Sequence, residues 1–467
     1  MNSNPSYKTA FSLLTSLFFM WGFITVMNDI LINTFQSIFD LTPTRQSYVQ
    51  VVFFGAFFVI SLIYFLISSN SGKDPINKIG YKNGMAISLI ICGVGSLAFY
   101  PAALMNSYSA FLAALFIVAS GVTLLQICAN PYATILGNSA SASSRLNLAQ
   151  GFNSLGTTLA PLVGTILIYK VFSGGEQSAS SIGNAYLING LIFIVLAIMV
   201  RFSKMPSFTN TEKIENGLEI FKQRHLVLGI FAIFFYVGSE VSIGSWIVKF
   251  IKDNSIMGLE EAEANYFLSY FWGGLMIGRL MASVSLNEKY TPIQKLVIMP
   301  IISLTLVTII YLVTSLKVDD QGIYFDFLSL REIAIYLIFL AVNYLAFIIS
   351  KGQAARSLVI FSTINVLLIA MTITSTGELA FWSIIGTGLF FSIGWSNVFS
   401  LAIKDLGKYT SQGSSLLVMA IVGGAALPFI QSQIIEIFNV QTSFIVPLLG
   451  VIYLIYYGIS GHKIKQN

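Results

Sequence analysis

Two carboxylates stand where carboxylates are costly. Asp29 lies in the run FFMWGFITVMNDILI and Glu240 in IFAIFFYVGSEVSIGSWIVKFI, while the rest of the chain's 20 acids fall in loops or at the edges of apolar runs. An acid at the centre of a membrane span costs about 2.5–3.5 kcal/mol on insertion scales. It is retained for a use or for a partner. The uses open to it are binding and releasing a proton, or accepting hydrogen bonds from a polar solute. A carboxylate that only joins helices is the plainer alternative for each.

A second set of groups is uncharged. In SGVTLLQICANPYATILG, Thr123, Gln126, Asn130 and Thr134 recur at i, i+3, i+7 and i+11, which puts them on one stripe of a helix. In RLNLAQGFNSLGTTLAPLVG, Asn147, Gln150, Asn153, Ser154 and Thr157 recur every three to four residues. Amides and hydroxyls both donate and accept, which suits a polyhydroxy solute. Any single one of them also serves as an interhelical hydrogen bond. Aromatic residues accompany these stripes: Trp21 and Thr25 on the face of Asn28 and Asp29, Tyr236 one turn before Glu240, and Trp395 beside Ser396 and Asn397 in FFSIGWSNVFSLAIKDLG. Aromatic faces stack on the apolar face of a sugar ring. Gly274 and Gly278 give a close-packing GxxxG spacing, with a structural meaning only.

The elements that must position these groups are membrane-spanning helices. The chain has 467 residues, 55% hydrophobic and only 10% charged, with a mean hydropathy of +0.79. Soluble domains carry about 25% charged residues. At roughly 20 residues per span, fourteen apolar runs are expected, beginning near residues 9, 48, 82, 108, 147, 183, 224, 262, 293, 332, 356, 379, 412 and 441. The first of these reads as an uncleaved span, because it outruns the apolar region of a signal peptide.

Placing both termini in the cytoplasm puts most of the 25 lysines and arginines, Arg279 among them, on the inner side. The net charge of +5 is then loop topology, and no basic cluster supports nucleic-acid binding. Residues 203–223 form the central loop between an N-terminal bundle, 1–202, and a C-terminal bundle, 224–467. Six spans before the loop and eight after it suggest two six-helix repeats plus a surplus pair of spans. Cys92 and Cys128 fall inside apolar runs, so no disulfide framework is expected, and His225 and His462 make no metal cluster. Nothing resembles a clustered nucleophile or a phosphate loop, so neither an enzyme nor a cofactor is expected.

FFMWGFITVMNDILI, ANPYATILG, RLNLAQGFNSLGTTLAPLVG, FFYVGSEVSIGSW and GKYTSQGSSLLVMAIVGGA together resemble the fucose permease and glucose/galactose transporter group of the major facilitator superfamily. The resemblance is collinear from residue 11 to about 435. It implies an all-α fold of two pseudo-symmetric six-helix bundles that imports a hexose by proton symport across a bacterial inner membrane, and, because family-like sequence resumes at 351–404, it locates the inserted pair at 293–351, expected to face lipid for its low polar content. It also implies a monomer that works by alternating access.

The proton-coupling acid of the family's NDIL motif falls on Asp29, and its sugar-lining asparagine falls on Asn153. A second acid of the fucose permeases falls on Gln126, an amide that cannot carry a proton; Glu240 is the candidate to replace it. The expected sugar ligands are Asn28, Gln126, Asn130, Gln150, Asn153, Tyr236, Trp395 and Asn397. The superfamily's loop signature reads GKDPINKIGYKNG, without the usual D-R core, and Lys78, Gly80, Lys82 and Arg279 are assigned to the cytoplasmic gate. An amino sugar, an N-acetylhexosamine or L-fucose as substrate, and sodium as coupling ion, stay open; a non-transporting sugar sensor is the remote alternative.

Overall fold

The computed structural model describes residues 5–464 apart from 42, 72–73, 173–177, 207, 209–217, 260, 320–321 and 328. Its helices run α1 Pro5–Phe39, α2 Pro43–Ser71, α3 Pro75–Ile79, α4 Tyr81–Leu97, α5 Phe99–Leu104, α6 Tyr108–Ile135, α7 Ala142–Thr165 and α8 Ala179–Phe202. After the central loop come α9 Arg224–Ile251, α10 Glu261–Ser285, α11 Pro292–Ser315, α12 Leu330–Ser350, α13 Ala354–Thr374, α14 Gly377–Phe391 and α15 Gly394–Ala402. The chain closes with α16 Thr410–Met419, α17 Gly423–Ile437, α18 Val440–Ser443 and α19 Ile445–Tyr456. A small antiparallel hairpin, β1 Leu316–Asp319 and β2 Gly322–Phe325, joins α11 to α12 with Leu316 opposite Phe325.

Among the described residues, thirteen segments are long and apolar enough to cross a membrane; α4–α5, α14–α15, α16–α17 and α18–α19 each serve as one. The fourteenth expected span falls on α7, which carries the second stripe of amides and hydroxyls. All fourteen begin within a few residues of the positions expected. The signal was strong because lipid selects the helix twice: it rewards apolar side chains and leaves every backbone polar group to be satisfied inside the helix. Exposed Leu191, Val195, Ile198, Ile301, Leu304 and Leu345 face outward as a lipid-contacting surface would.

Packing repeats between the halves. α1 lies along α7 as α9 lies along α17, and α4 contacts α6 and α8 as α13 contacts α14 and α19. α2 meets α6 as α10 meets α14, whereas α11 and α12 fall outside this correspondence. The halves join along two seams, α7 against α10 and α2 against α16.

Small residues let these helices touch backbone to backbone. A Cβ on Gly22 would lie 2.1 Å from the Asn153 carbonyl oxygen, and one on Gly156 would lie 2.2 Å from that of Phe19, so α1 and α7 are nearly in main-chain contact. Gly274 and Gly278 do the same for α10 against α14, where the spacing anticipated a close-packed face.

Candidate functional site

A cavity of about 760 Å³ opens between the halves, walled by α1, α2, α6, α7, α9, α10 and α15. It reaches from Gln126, Gln150 and Arg279 in mid-bundle to Gln50, Val248 and Leu268 near one end of the molecule. Seven of the residues assigned a functional role from sequence line it: Gln126, Gln150, Asn153, Tyr236, Glu240, Arg279 and Trp395. Trp21, Thr25, Ser154 and Thr157 join them. Each amide stripe splits on the structure. Gln126 alone of its stripe reaches the cavity, while Thr123 and Thr134 turn back to the Ala119 and Pro131 carbonyls of their own helix.

Two lining groups are buried with hydrogen-bonding capacity to spare: Gln126 Oε1 and Trp395 Nε1 have no partner among the described residues. Buried polar groups are normally satisfied, so such atoms mark where a polar solute or water belongs. Asn153 lines the cavity while its Nδ2 donates to the Phe18 carbonyl at 3.0 Å, which sews α7 to α1. Tyr236 is anchored the same way, its hydroxyl donating to the Phe391 carbonyl at 3.0 Å.

Three expected ligands stand back from the cavity. Asn130 is fully buried and accepts from Gln150 Nε2 at 3.4 Å, holding that side chain. Asn397 accepts from Asn147 Nδ2 at 3.2 Å and donates to the Ala354 carbonyl, so it ties α15 to α7 and α13. Asn28 is buried in α1 with both amide atoms unpartnered. The reason is common to all three: helical spacing defines a face, and a face is wider than the cavity it borders. Asp29 belongs to α1, but its side chain lies outside the described residues.

Arg279, expected at the cytoplasmic gate, is six residues inside the end of α10, about 9 Å at 1.5 Å per residue, and only 7% exposed. Its guanidinium is shared among three elements: Nη2 to Glu240 Oε1 at 3.3 Å on α9, Nη1 to Ser154 Oγ at 2.6 Å on α7, and Nε to the Ser392 carbonyl at 3.2 Å at the end of α14. Glu240 therefore has its cation, supplied from another helix. The sequence carried a signal for this. Leu268, Ser269, Trp272, Leu275 and Arg279 follow one helical stripe, and all five line the cavity.

At the end of the molecule that holds the α2–α4, α6–α7 and α15–α16 connections, hydrogen bonds join the halves. Asn77 Nδ2 donates to the Lys408 carbonyl at 3.0 Å, Ser411 Oγ donates to Asn77 Oδ1 at 3.3 Å, and the Tyr81 hydroxyl and Ser411 Oγ lie 2.9 Å apart. Ser144 Oγ donates to the Ser283 carbonyl at 2.6 Å, and Ser143 Oγ lies 2.5 Å from Ser400 Oγ. Of the basic residues expected to gate here, Lys78 is exposed in the last turn of α3, and Lys82 donates to the Ser203 carbonyl within its own half. Gly80, at φ 84°, makes the turn between α3 and α4 that a side chain would strain. The crossing bonds come from Asn77 and Tyr81, which sequence reasoning passed over because neither is charged.

Beneath this latch, Asp74 caps α3. It is 2% exposed and accepts from the Asn77 amide at 2.9 Å, the Tyr64 hydroxyl at 2.7 Å and Ser68 Oγ at 3.1 Å. Burial pushes its carboxyl above the usual range, against the opposing pull of these hydrogen bonds.

The family model described as the Major Facilitator Superfamily matches residues 19–367. A glucose/galactose transporter of Brucella abortus is 36% identical, over 99% of this chain and 96% of that protein. An L-fucose-proton symporter of Escherichia coli is 26% identical, over 95% of this chain and 91% of its own length. Among solved structures, that of the transporter FucP in the outward conformation superposes with a TM-score of 0.75 at 24% identity, covering 99% of this chain and 100% of that one.

Proposed function

The chain belongs to the major facilitator superfamily, and from that premise we propose that it imports a hexose together with a proton by alternating access across a bacterial inner membrane. The observation that carries the reading is the cavity between the halves, where amides, hydroxyls and indoles surround one buried ion pair. That mixture binds hydroxyls and ring faces without demanding a charged solute. The names of the relatives, glucose/galactose transporter and L-fucose-proton symporter, support a hexose and a proton.

The repeated packing pairs support a division into bundles 1–202 and 224–467 about the 203–223 loop, with 293–351 an inserted pair that has no counterpart in the first half. The latched end is then cytoplasmic and holds both termini, and the cavity extends toward the outside. Asp29 and Glu240 are the proposed proton carriers, Gln126, Gln150, Asn153, Tyr236 and Trp395 the proposed sugar ligands, and the α3–α4 turn the inner gate. The protein acts as a monomer in the bilayer.

Uptake of labelled sugars into membrane vesicles, with proton and sodium gradients imposed separately, tests this. Glucose, galactose or fucose should accumulate under an acid-outside gradient, and accumulation driven by sodium alone would refute proton coupling. Asp29→Asn should lose accumulation while keeping sugar exchange; full concentrative uptake by that variant would remove Asp29 from the mechanism.

A further inference from the structure

We propose that Asn343, on the inserted helix α12, is a positioning residue for the sugar cavity and acts through the break between α14 and α15. The proposal rests on the transport reading above. α12 turns one face inward, with Tyr336, Phe339, Leu340, Asn343 and Phe347 at i, i+3, i+4, i+7 and i+11. The Tyr336 hydroxyl donates to the Tyr270 carbonyl of α10 at 3.1 Å, and Phe347 packs on Phe361 of α13 at 4.6 Å between ring centroids. The Phe339 ring covers Gly386, where an added Cβ would lie 2.9 Å from it. The expectation of a purely lipid-facing pair therefore holds for the outer face only, where Ile338, Val342 and Leu345 are exposed.

Asn343 sits at the middle of the inner face and is fully buried. Its Nδ2 donates to the Leu389 carbonyl of α14 at 2.9 Å, while its Oδ1 has no partner. A leucine there would give adhesion without a stranded acceptor, so the donated hydrogen bond is what the amide contributes.

The acceptor lies where α14 stops. The last carbonyls of a helix lack intrahelical partners, and here three of them are met by side chains from three directions. Leu389 is held by Asn343 and by Ser392 Oγ at 2.7 Å, Phe391 by the Tyr236 hydroxyl, and Ser392 by Arg279 Nε. Tyr236 and Arg279 line the cavity, and Trp395 follows the break at the start of α15. Gly278 leaves no slack behind it, since a Cβ there would lie 2.0 Å from Ser392 Oγ. Asn343 thus sets the outer end of a carbonyl row whose inner end seats two cavity residues, although among the described residues neither α11 nor α12 lines the cavity.

The test is calorimetric binding of D-glucose and D-galactose to the full-length protein in detergent, paired with its melting temperature. Asn343→Leu keeps the volume and removes the donor; Asn343→Gln keeps an amide. We expect Asn343→Leu to weaken sugar binding at least about fivefold, in the range of a modest coupling between sites, with a melting temperature within about 3 °C of wild type. Asn343→Gln should recover most of the loss. Wild-type affinity in Asn343→Leu overturns the proposal, as does a fall in melting temperature with affinity intact. If Asn343→Leu fails to insert, Asn343→Ser, too short to reach the Leu389 carbonyl, is judged by the same criteria. A wild type that binds neither these sugars nor L-fucose overturns the hexose reading and the proposal together, a result distinct from loss confined to the variants.

Discussion

Arg279 shows what a single side chain can do when its partners arrive from three other helices. Its three hydrogen bonds occupy Glu240, Ser154 and the Ser392 carbonyl, so the guanidinium spans the seam between the halves as well as pairing an acid. Breaking a buried pair from one side strands the other charge, typically at about 3–5 kcal/mol. Arg279→Leu should therefore be strongly destabilised, and the double variant Arg279→Leu/Glu240→Gln should recover much of that loss. Melting temperatures of the two singles and the double give the coupling; strict additivity would show that the pair contributes nothing. Residue types that do the work here were partly legible. Glu240, Gln150 and Trp395 stood out because polar or aromatic groups are conspicuous in apolar runs. The ion pair did not, because its members are 39 residues apart on different helices and an arginine near a helix end reads as a loop charge.

At the scale of the element, α3 is a helix of five residues that depends on its cap. Its orphan amide at Asn77 is taken by Asp74, and Asn77 in turn spends its side chain on Lys408 and Ser411 across the seam. The cap and the latch are thus one device. Because burial raises the Asp74 pKa in the folded protein, the fold binds that proton more tightly than the unfolded chain does. The resulting stabilisation is fully present below the ordinary carboxylate pKa and is lost as pH rises through the folded value. Asn keeps an acceptor for the cap but has no proton to exchange. The melting temperature of wild type, relative to Asp74→Asn, should rise as pH is lowered from neutral toward 4; a difference that stays constant with pH would contradict this. Helix existence and order were readable from hydropathy, and the α14–α15 break and the β1–β2 hairpin were not. Both depend on tertiary partners, Tyr236 and Arg279 for the break and the strands' mutual pairing for the hairpin, which periodicity does not encode.

For the whole molecule, the question is how two halves part at one end while closing at the other. The bonds recorded across the latched end are short but neutral: hydroxyl to carbonyl, hydroxyl to hydroxyl, amide to carbonyl. Neutral hydrogen bonds contribute only about 0.5–1.5 kcal/mol each, which suits contacts that must be broken in every cycle. Ser143 and Ser400 face each other at 2.5 Å, and the native Cys92 and Cys128 are buried. The pair Ser143→Cys/Ser400→Cys should cross-link on oxidation, stop net uptake and recover it on reduction; undiminished uptake by the oxidised protein would mean that this end need not open. The division into halves could be anticipated from the charge pattern and the central loop, whereas their seams could not, since seams are drawn by small residues and backbone contacts. One of those contacts bears on how the protein is made. α7 carries Asn147, Gln150, Asn153, Ser154 and Thr157 within three turns, and Gly22 and Gly156 lay it almost main chain to main chain along α1. Where the two helices touch, Asn153 meets the Phe18 carbonyl of α1 and not lipid. The earlier helix thus offers the later one a mate for its amides inside the bilayer, so the order of the two in the chain matches the order in which their hydrogen bonds can be met.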